Sequence, residues 1–361
     1  MLGKHLLYAQ DDLSNVQYNK CLTSFDNSTN EDRESAAYQY DPDGPVKVIR
    51  VNFHYFLKDD GTGNFNETSD NYSNRPYNGY MYADDMVKWC NSHWNRNELL
   101  QHMPNPPVPA LQKKIQLQLC GVFFHRNTSA YNEYVNCSFP PDSYLENCEI
   151  ISSGEVLNIF ITKDGTGGCY NGRINISTGY LNYKRYIDLN DIWLCSRVSS
   201  LVNHEIGHFL GLTWHTIQDC CGNMTSNCDG IDDTPTYGWL KNNGYNDPCC
   251  WNCSSGSNNL MDYCAGQIAL SPMQIFRMHE RIDGIKQSYR NCKYKTQSLN
   301  ITGFTTNKAY IAKYITIPST SNIVVGNNSA LFINAEEVII SGALEVQSGS
   351  VLNIETATSC N

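Results

Sequence analysis

Basic residues are scarce and scattered: Lys and Arg total 26 of 361 residues against 36 Asp and Glu, a formal net charge of −10. No stretch gathers them into a patch, so a phosphate backbone or an anionic membrane surface has nothing to grip, and nucleic acid is excluded as a partner. Long apolar runs are missing as well. The longest, such as Val156 to Ile161, fall far short of the ~20 residues a membrane helix needs, so no membrane span is expected. A secretory h-region is also lacking, because residues 1 to 15 carry Lys4, His5, Asp11 and Asp12 around the short patch Leu6 to Ala9. The expectation is that a signal was removed or that the chain begins inside the mature protein. Sustained periodicity is absent from residues 1 to 45, which end in the turn-rich Asp41-Pro42-Asp43-Gly44-Pro45 and read as a leader or pro-segment remnant.

Cysteine, by contrast, is abundant. Sixteen cysteines exceed what a reducing cytosol usually sustains in an enzyme, so disulfides and secretion are expected. Seven of them (Cys220, Cys221, Cys228, Cys249, Cys250, Cys253 and Cys264) crowd the aperiodic stretch 212 to 269. So long an irregular segment persists when staples or metals hold it. With 41% hydrophobic and 11% aromatic residues, the chain is a folded globular protein of about two domains at roughly 150 residues each.

Three regions follow. Residues 1–45 are the leader. Residues 46–294 mix strands and helices: Val46 to Phe56 alternates with Ile49, Val51, Phe53 and Tyr55 on one face, a helix is predicted from Tyr82 to Leu100, and Ile115 to Phe124 and Val156 to Thr162 read as strands. Val198, Leu201, Val202, Ile206, Phe209 and Leu210 form the stripe of a further helix, capped by Asp191 or Ser196 and ended by Gly211. Ser271-Pro272 opens a last one. Residues 295–361 turn to short β-rich segments, where Ser329-Ala330-Leu331-Phe332-Ile333 recurs about 21 residues later as Ser350-Val351-Leu352-Asn353-Ile354. That period suits one rung of a β-solenoid, with a small sandwich as the alternative. The fold class is α+β with an all-β C-terminal unit.

The chemistry concentrates in His204-Glu205-Ile206-Gly207-His208-Phe209-Leu210-Gly211-Leu212-Thr213-Trp214-His215. On a helix, positions i and i+4 share a face, so His204 and His208 can aim both imidazoles at one Zn²⁺ while Glu205 stands beside a zinc-activated water. Zinc lowers the pKa of that water and polarises a carbonyl, and a neighbouring carboxylate moves the proton to a leaving amine. Those are the parts of peptide-bond hydrolysis. Gly211 frees the chain to leave the helix with φ > 0 and turn back under the metal.

This motif, together with Asp229-Gly230-Ile231-Asp232-Asp233-Thr234-Pro235 and Asn259-Leu260-Met261-Asp262-Tyr263, resembles the pappalysin (cytophagalysin) family of metzincin zinc proteases. The resemblance is clearest over about 195 to 285. It implies a metzincin-like protease domain at 46–294, with His204, His208 and His215 as zinc ligands and Glu205 as general base. It further implies that Met261 is the Met-turn methionine beneath the metal and that Tyr263 is a catalytic phenol near it. The third histidine is displaced by one residue, since the family spacing falls on Trp214, and indole cannot coordinate zinc. The irregular backbone after Gly211 can absorb the extra residue as a wider bend. Asp219 and Glu280 are the runner-up ligands. Asp232 and Asp233 are candidates for a structural Ca²⁺ site, which the resemblance permits.

The reading is therefore a secreted zinc endopeptidase acting on protein or peptide substrates. Three rivals stand beside it. A gluzincin would take Glu280 as third ligand. A structural zinc knuckle would use Cys250-x-x-Cys253 with neighbouring cysteines. An extracellular binding or adhesion module would carry a degenerate protease domain, against which the intact Glu205 argues.

Overall fold

The computed structural model describes residues 41, 43–67, 70–72, 75–101, 108–133, 156–161, 168–170, 174–176, 192–213, 229–243, 258–262, 267–284, 298–304, 308–326, 330–348 and 350–356. The described residues of the first half build a five-stranded sheet and a separate two-stranded hairpin. Strand β1 (Lys47–Leu57) is followed by the antiparallel hairpin β2 (Asp70–Tyr72) and β3 (Arg75–Tyr77), helix α1 (Gly79–Trp94), β4 (Ile115–Arg126), the short α2 (Thr128–Glu133), β5 (Leu157–Ile161), β6 (Gly168–Tyr170) and β7 (Ile174–Ile176). The five-stranded order is β4-β1-β5-β7-β6, parallel throughout except at the β7–β6 edge.

Strand β1 lies between β4 and β5 in the sheet and is buried on both faces, which differs from the one-sided alternation expected of it. Ile49, Val51, Phe53 and Tyr55 join the helix-facing core, and Arg50, Asn52, His54 and Phe56 on the opposite face are buried as well. The polar members of that second face pair with one another: His54 Nδ1 lies 3.1 Å from His125 Nε2, and His54 Nε2 lies 3.0 Å from Asn158 Oδ1. A parallel strand buried on both sides must find partners for its polar side chains internally: Arg50 Nε donates to Cys120 Sγ and Asn52 Nδ2 to Asn158 Oδ1, while Asn52 Oδ1 is left without a hydrogen bond.

Helix α1 starts earlier and stops earlier than its periodicity suggests. Asn78 caps it by accepting a hydrogen bond from Met81 N, and Asn95 closes it. Just beyond, the Asn97 side chain donates to Leu111 O and Leu270 O at 2.9 Å each, and its Oδ1 accepts from Leu270 N. Those bonds draw the chain off the helical path. Lys113 Nζ donates to His93 O in the last turn of the helix and to Arg96 O just past its end.

Helix α3 (Ile192–Phe209) crosses the sheet beside α1. Its start at Ile192 puts Ser196 inside the helix, so Ser196 is not the cap, while Asp191 lies outside the described residues. Val198, Val202, Ile206 and Phe209 enter the same core as the sheet and α1. Asn203 donates to Cys90 O at 3.2 Å and ties the two helices together. Among the described residues two helices then follow: α4 (Tyr237–Asn242), short and unheralded by periodicity, and α5 (Pro272–Asp283).

The chain after residue 297 carries eight short strands: β8 (Ser298–Asn300), β9 (Lys308–Ile311), β10 (Tyr314–Ile317), β11 (Asn322–Val325), β12 (Ala330–Ala335), β13 (Glu337–Ile340), β14 (Ala343–Val346) and β15 (Val351–Thr356). They pair only in parallel, in ladders β8-β10-β13, β11-β14 and β9-β12-β15. The recurring segment falls on β12 and β15, with Leu331 opposite Leu352 and Ile333 opposite Ile354. Successive parallel pairing, with Tyr314 opposite both Ser298 and Glu337 and Leu331 opposite both Lys308 and Leu352, winds the chain into solenoid-like rungs of unequal length, with Ile315, Ile317, Ile323, Val325, Leu331 and Ile333 buried inside. No helix among the described residues is long and apolar enough to cross a membrane.

Candidate metal centre

Helix α3 brings His204, Glu205 and His208 together, all buried at 7%, 3% and 7% exposure. The two imidazole centroids stand 4.8 Å apart with their planes at 89°. Each ring is held from behind by a backbone carbonyl: His204 Nδ1 lies 2.7 Å from Leu260 O, and His208 Nδ1 lies 2.6 Å from Leu212 O. A carbonyl only accepts, so Nδ1 must carry the proton in both rings, and each Nε2 keeps its lone pair. Metal-ligating histidines are typically oriented in this way, by a hydrogen bond from the nitrogen that does not ligate. The donor set therefore fits a zinc ion held by Nε2 atoms.

The carbonyl behind His208 comes from the way α3 ends. Gly211 sits at φ +93°, a left-handed conformation that favours glycine. Leu212 N donates to Gly207 O and Gly211 N to His208 O, both at 3.0 Å, the paired bonds of a Schellman cap. The cap folds Leu212 back so that its own carbonyl reaches the His208 ring. Gly211 thus ends the helix with φ > 0, and the cap it forms places the carbonyl that orients the His208 ring.

The carbonyl behind His204 comes from the turn Asn259–Asp262. Asp262 N donates to Asn259 O at 3.1 Å, Asn259 Oδ1 accepts from Met261 N at 2.8 Å, and Leu260 N bonds Ala269 O at 2.8 Å. Met261 is fully buried in the core that includes Ile206 and Phe209. It lies against Gly207, where an added Cβ would meet Met261 Sδ at 2.5 Å. Glycine at 207 is what lets the turn approach the helix.

Burial pushes the Glu205 carboxyl up to about 8. A cation held by the neighbouring imidazoles would act in the opposite sense and favour the carboxylate. A buried carboxylate beside two oriented imidazoles is equipped to accept a proton from water and return it.

His215, Tyr263, Trp214 and Asp219 lie outside the described residues. Glu280 is described: it is exposed on α5, and no group of three or more His, Cys, Asp or Glu side chains able to hold a metal occurs among the described residues. Glu280 therefore does not join His204 and His208, which removes the gluzincin ligand set. Nothing among the described residues supports the calcium expectation. Asp232 is exposed, while Asp233 Oδ2 accepts from Met273 N at the first turn of α5, so its carboxylate serves that helix. Asp229, which the sequence did not single out by itself, is the buried member of that loop. Its carboxylate accepts from Ile231 N and the Thr234 hydroxyl, and burial raises it to about 7.

The described cysteines with defined side chains, Cys90 and Cys120, are buried free thiols. The seven cysteines of 212 to 269 and the pairings expected of them lie outside the described residues. Sequence reasoning missed Asn259, Gln274 and the carbonyls of Leu212 and Leu260. The only readable signal was the Ser271-x-x-Gln274 capping box.

Among curated proteins, none matches the chain significantly. Residues 157–283 match the sequence model of a peptidase family described as pregnancy-associated plasma protein-A. That span runs from β5 through α3 and the Asn259–Asp262 turn to the end of α5.

Proposed function

With a pappalysin-family segment at 157–283, which supports a metalloprotease function and peptide substrates, we propose that the chain is a secreted zinc endopeptidase. Peptidases of this family depend on zinc in general. In the proposed site, Nε2 of His204 and of His208 and the imidazole of His215 hold the ion. When bound, zinc supplies a Lewis acid that acidifies water and polarises the scissile carbonyl. Glu205 takes the proton from the attacking water and delivers it to the departing amine. Tyr263 donates its phenol hydrogen bond to the developing oxyanion, and Met261 floors the site. Sixteen cysteines support secretion.

The observation that carries the reading is the pair of backbone carbonyls that hold Nδ1 of both imidazoles as the protonated nitrogen and so make each Nε2 the lone-pair nitrogen. A decorated helix face with no ligand would not need either ring oriented. Digestion of a complex peptide library by zinc-loaded protein tests it, with chelator-treated protein and Glu205→Gln as controls. Cleavage that both controls abolish is expected. A library left intact by the zinc-loaded protein would favour the binding-module alternative.

A further inference from the structure

Helix α5 begins with a reciprocal cap. Ser271 Oγ accepts from Gln274 N at 3.1 Å, and Ser271 N donates to Gln274 Oε1 at 2.9 Å. The Gln274 amide does not end there. Asn259 Nδ2 donates to the same Oε1 at 3.0 Å, and Gln274 Nε2 donates to Asn259 Oδ1 at 3.3 Å. Two backbone donors fix which way both amides face: Ser271 N requires an oxygen on Gln274, and Met261 N requires an oxygen on Asn259. The two side chains therefore form a closed amide pair, with Gln274, Ser271 and Asn259 at 0%, 0% and 2% exposure.

From Asn259 the connection runs straight to the site. Its Oδ1 sets Met261 N, and between them stands Leu260, whose carbonyl holds His204 Nδ1. A helix cap needs only Ser271 Oγ and one Gln274 oxygen, so the second hydrogen bond to Asn259 is surplus to capping. It anchors the four-residue turn to α5, beside the Leu260–Ala269 and Ala269–Asn258 backbone bonds and the Asn258 side-chain bonds to Gln101 N and Leu99 O.

We infer that Gln274 is a positioning residue for the metal ligand His204, acting through the amide pair with Asn259 and the Leu260 carbonyl; the inference rests on the zinc-site reading above. Gln274 touches neither metal nor substrate in this scheme. Its work is to fix the tautomer and tilt of one ring, and outer-shell partners of this kind change metal affinity by roughly 10–100-fold when lost.

The test compares Gln274→Ala with Ser271→Ala in the full chain. Ser271→Ala weakens the same helix cap and leaves the amide pair in place, so it controls for a merely structural role. Two readouts are taken. In metal-free protein, long-range ¹H–¹⁵N spectra report whether His204 keeps a protected Nδ1 proton. In zinc titrations against a chromophoric chelator, the dissociation constant is measured for each variant. Gln274→Ala is expected to lose the protected Nδ1 proton and bind zinc about 10–100-fold more weakly, while Ser271→Ala keeps both near the parent values at a comparable loss of thermal stability. Asn259→Ser retains an acceptor for Met261 N and cuts both amide bonds, so it is expected to behave like Gln274→Ala and decides the matter if that variant does not fold. A His204 Nδ1 proton unchanged in Gln274→Ala or Asn259→Ser overturns the inference, as does equal weakening by Ser271→Ala. A parent chain that takes up no zinc overturns the zinc-site reading instead, and the spectra of metal-free protein still decide the role of Gln274.

Discussion

Gly207→Ala separates helix stability from site geometry. Replacing an interior helical glycine by alanine stabilises an unhindered helix by about 1 kcal/mol. Here the new Cβ would stand 2.5 Å from Met261 Sδ and 3.3 Å from its Cε, both in the core. Overpacking of this kind costs about 1–3 kcal/mol, and the sulfur, at the end of a rotatable chain, can yield part of the distance. The net change in stability is then small, between about zero and a loss of 2 kcal/mol. The consequence for the metal is larger. A displaced Met261 moves the turn that carries Leu260 O, the atom that orients His204, and zinc affinity is expected to fall roughly 10–100-fold. Urea denaturation and chelator-competition titrations on the parent, Gly207→Ala, Met261→Ala and the double variant measure both quantities. The two substitutions share one contact, so the double variant should be more stable than additivity predicts by about 0.5–3 kcal/mol. A Gly207→Ala protein that gains about 1 kcal/mol and binds zinc as the parent does would refute the argument.

Three further outcomes are expected. Glu205→Gln should keep the metal and lose peptidase turnover by about 10²–10⁴-fold, measured as kcat on a cleaved peptide beside the zinc content of the same sample. Gly211→Ala forces φ +93° on a residue with a Cβ, so about 1–2 kcal/mol of stability should disappear, with zinc binding weakened because the Leu212 carbonyl moves with the cap; urea midpoints check the first effect and titration the second. Lys113 is almost fully buried, which lowers its pKa to about 7. The unfolded chain therefore holds more protons than the folded one between about pH 7 and the usual lysine range, and stability should rise with pH across that window by up to about 1.4 kcal/mol per unit. Lys113→Met should flatten that slope in denaturation curves taken at several pH values.

The parts of the protein that were legible are those written in local pattern. The i, i+4 histidines, the glycine stop of α3 and the Ser-Pro start of α5 are each determined within one helical turn, and each stands where the residues put it. Strand β1 was found, but its burial on both faces was not, because that depends on what distant parts of the chain lay over each face and on His54 meeting His125 and Asn158 across strands. The end of α1 was misjudged because Asn97 is drawn away by Leu111 and Leu270, partners far along the chain. The support of the candidate metal site was invisible for a related reason. It consists of two backbone carbonyls, whose direction no side-chain pattern encodes, and of an amide pair between residues 15 positions apart in two separate elements. In the C-terminal segment the period of about 21 residues was readable because each rung repeats its own inward positions, so the pairing β12–β15 follows the repeat.

The central claim is that one zinc ion is held by imidazoles on α3 and after its Gly211 turn. X-ray absorption at the zinc edge of stoichiometrically loaded protein tests it most directly. The account predicts three imidazole nitrogens at roughly 2.0–2.1 Å and one oxygen, falling to two imidazoles in His215→Ala and losing the bound zinc in the His204→Ala, His208→Ala double variant. A shell dominated by sulfur at roughly 2.3 Å, or an unchanged spectrum in the double variant, would place the metal elsewhere and contradict the account.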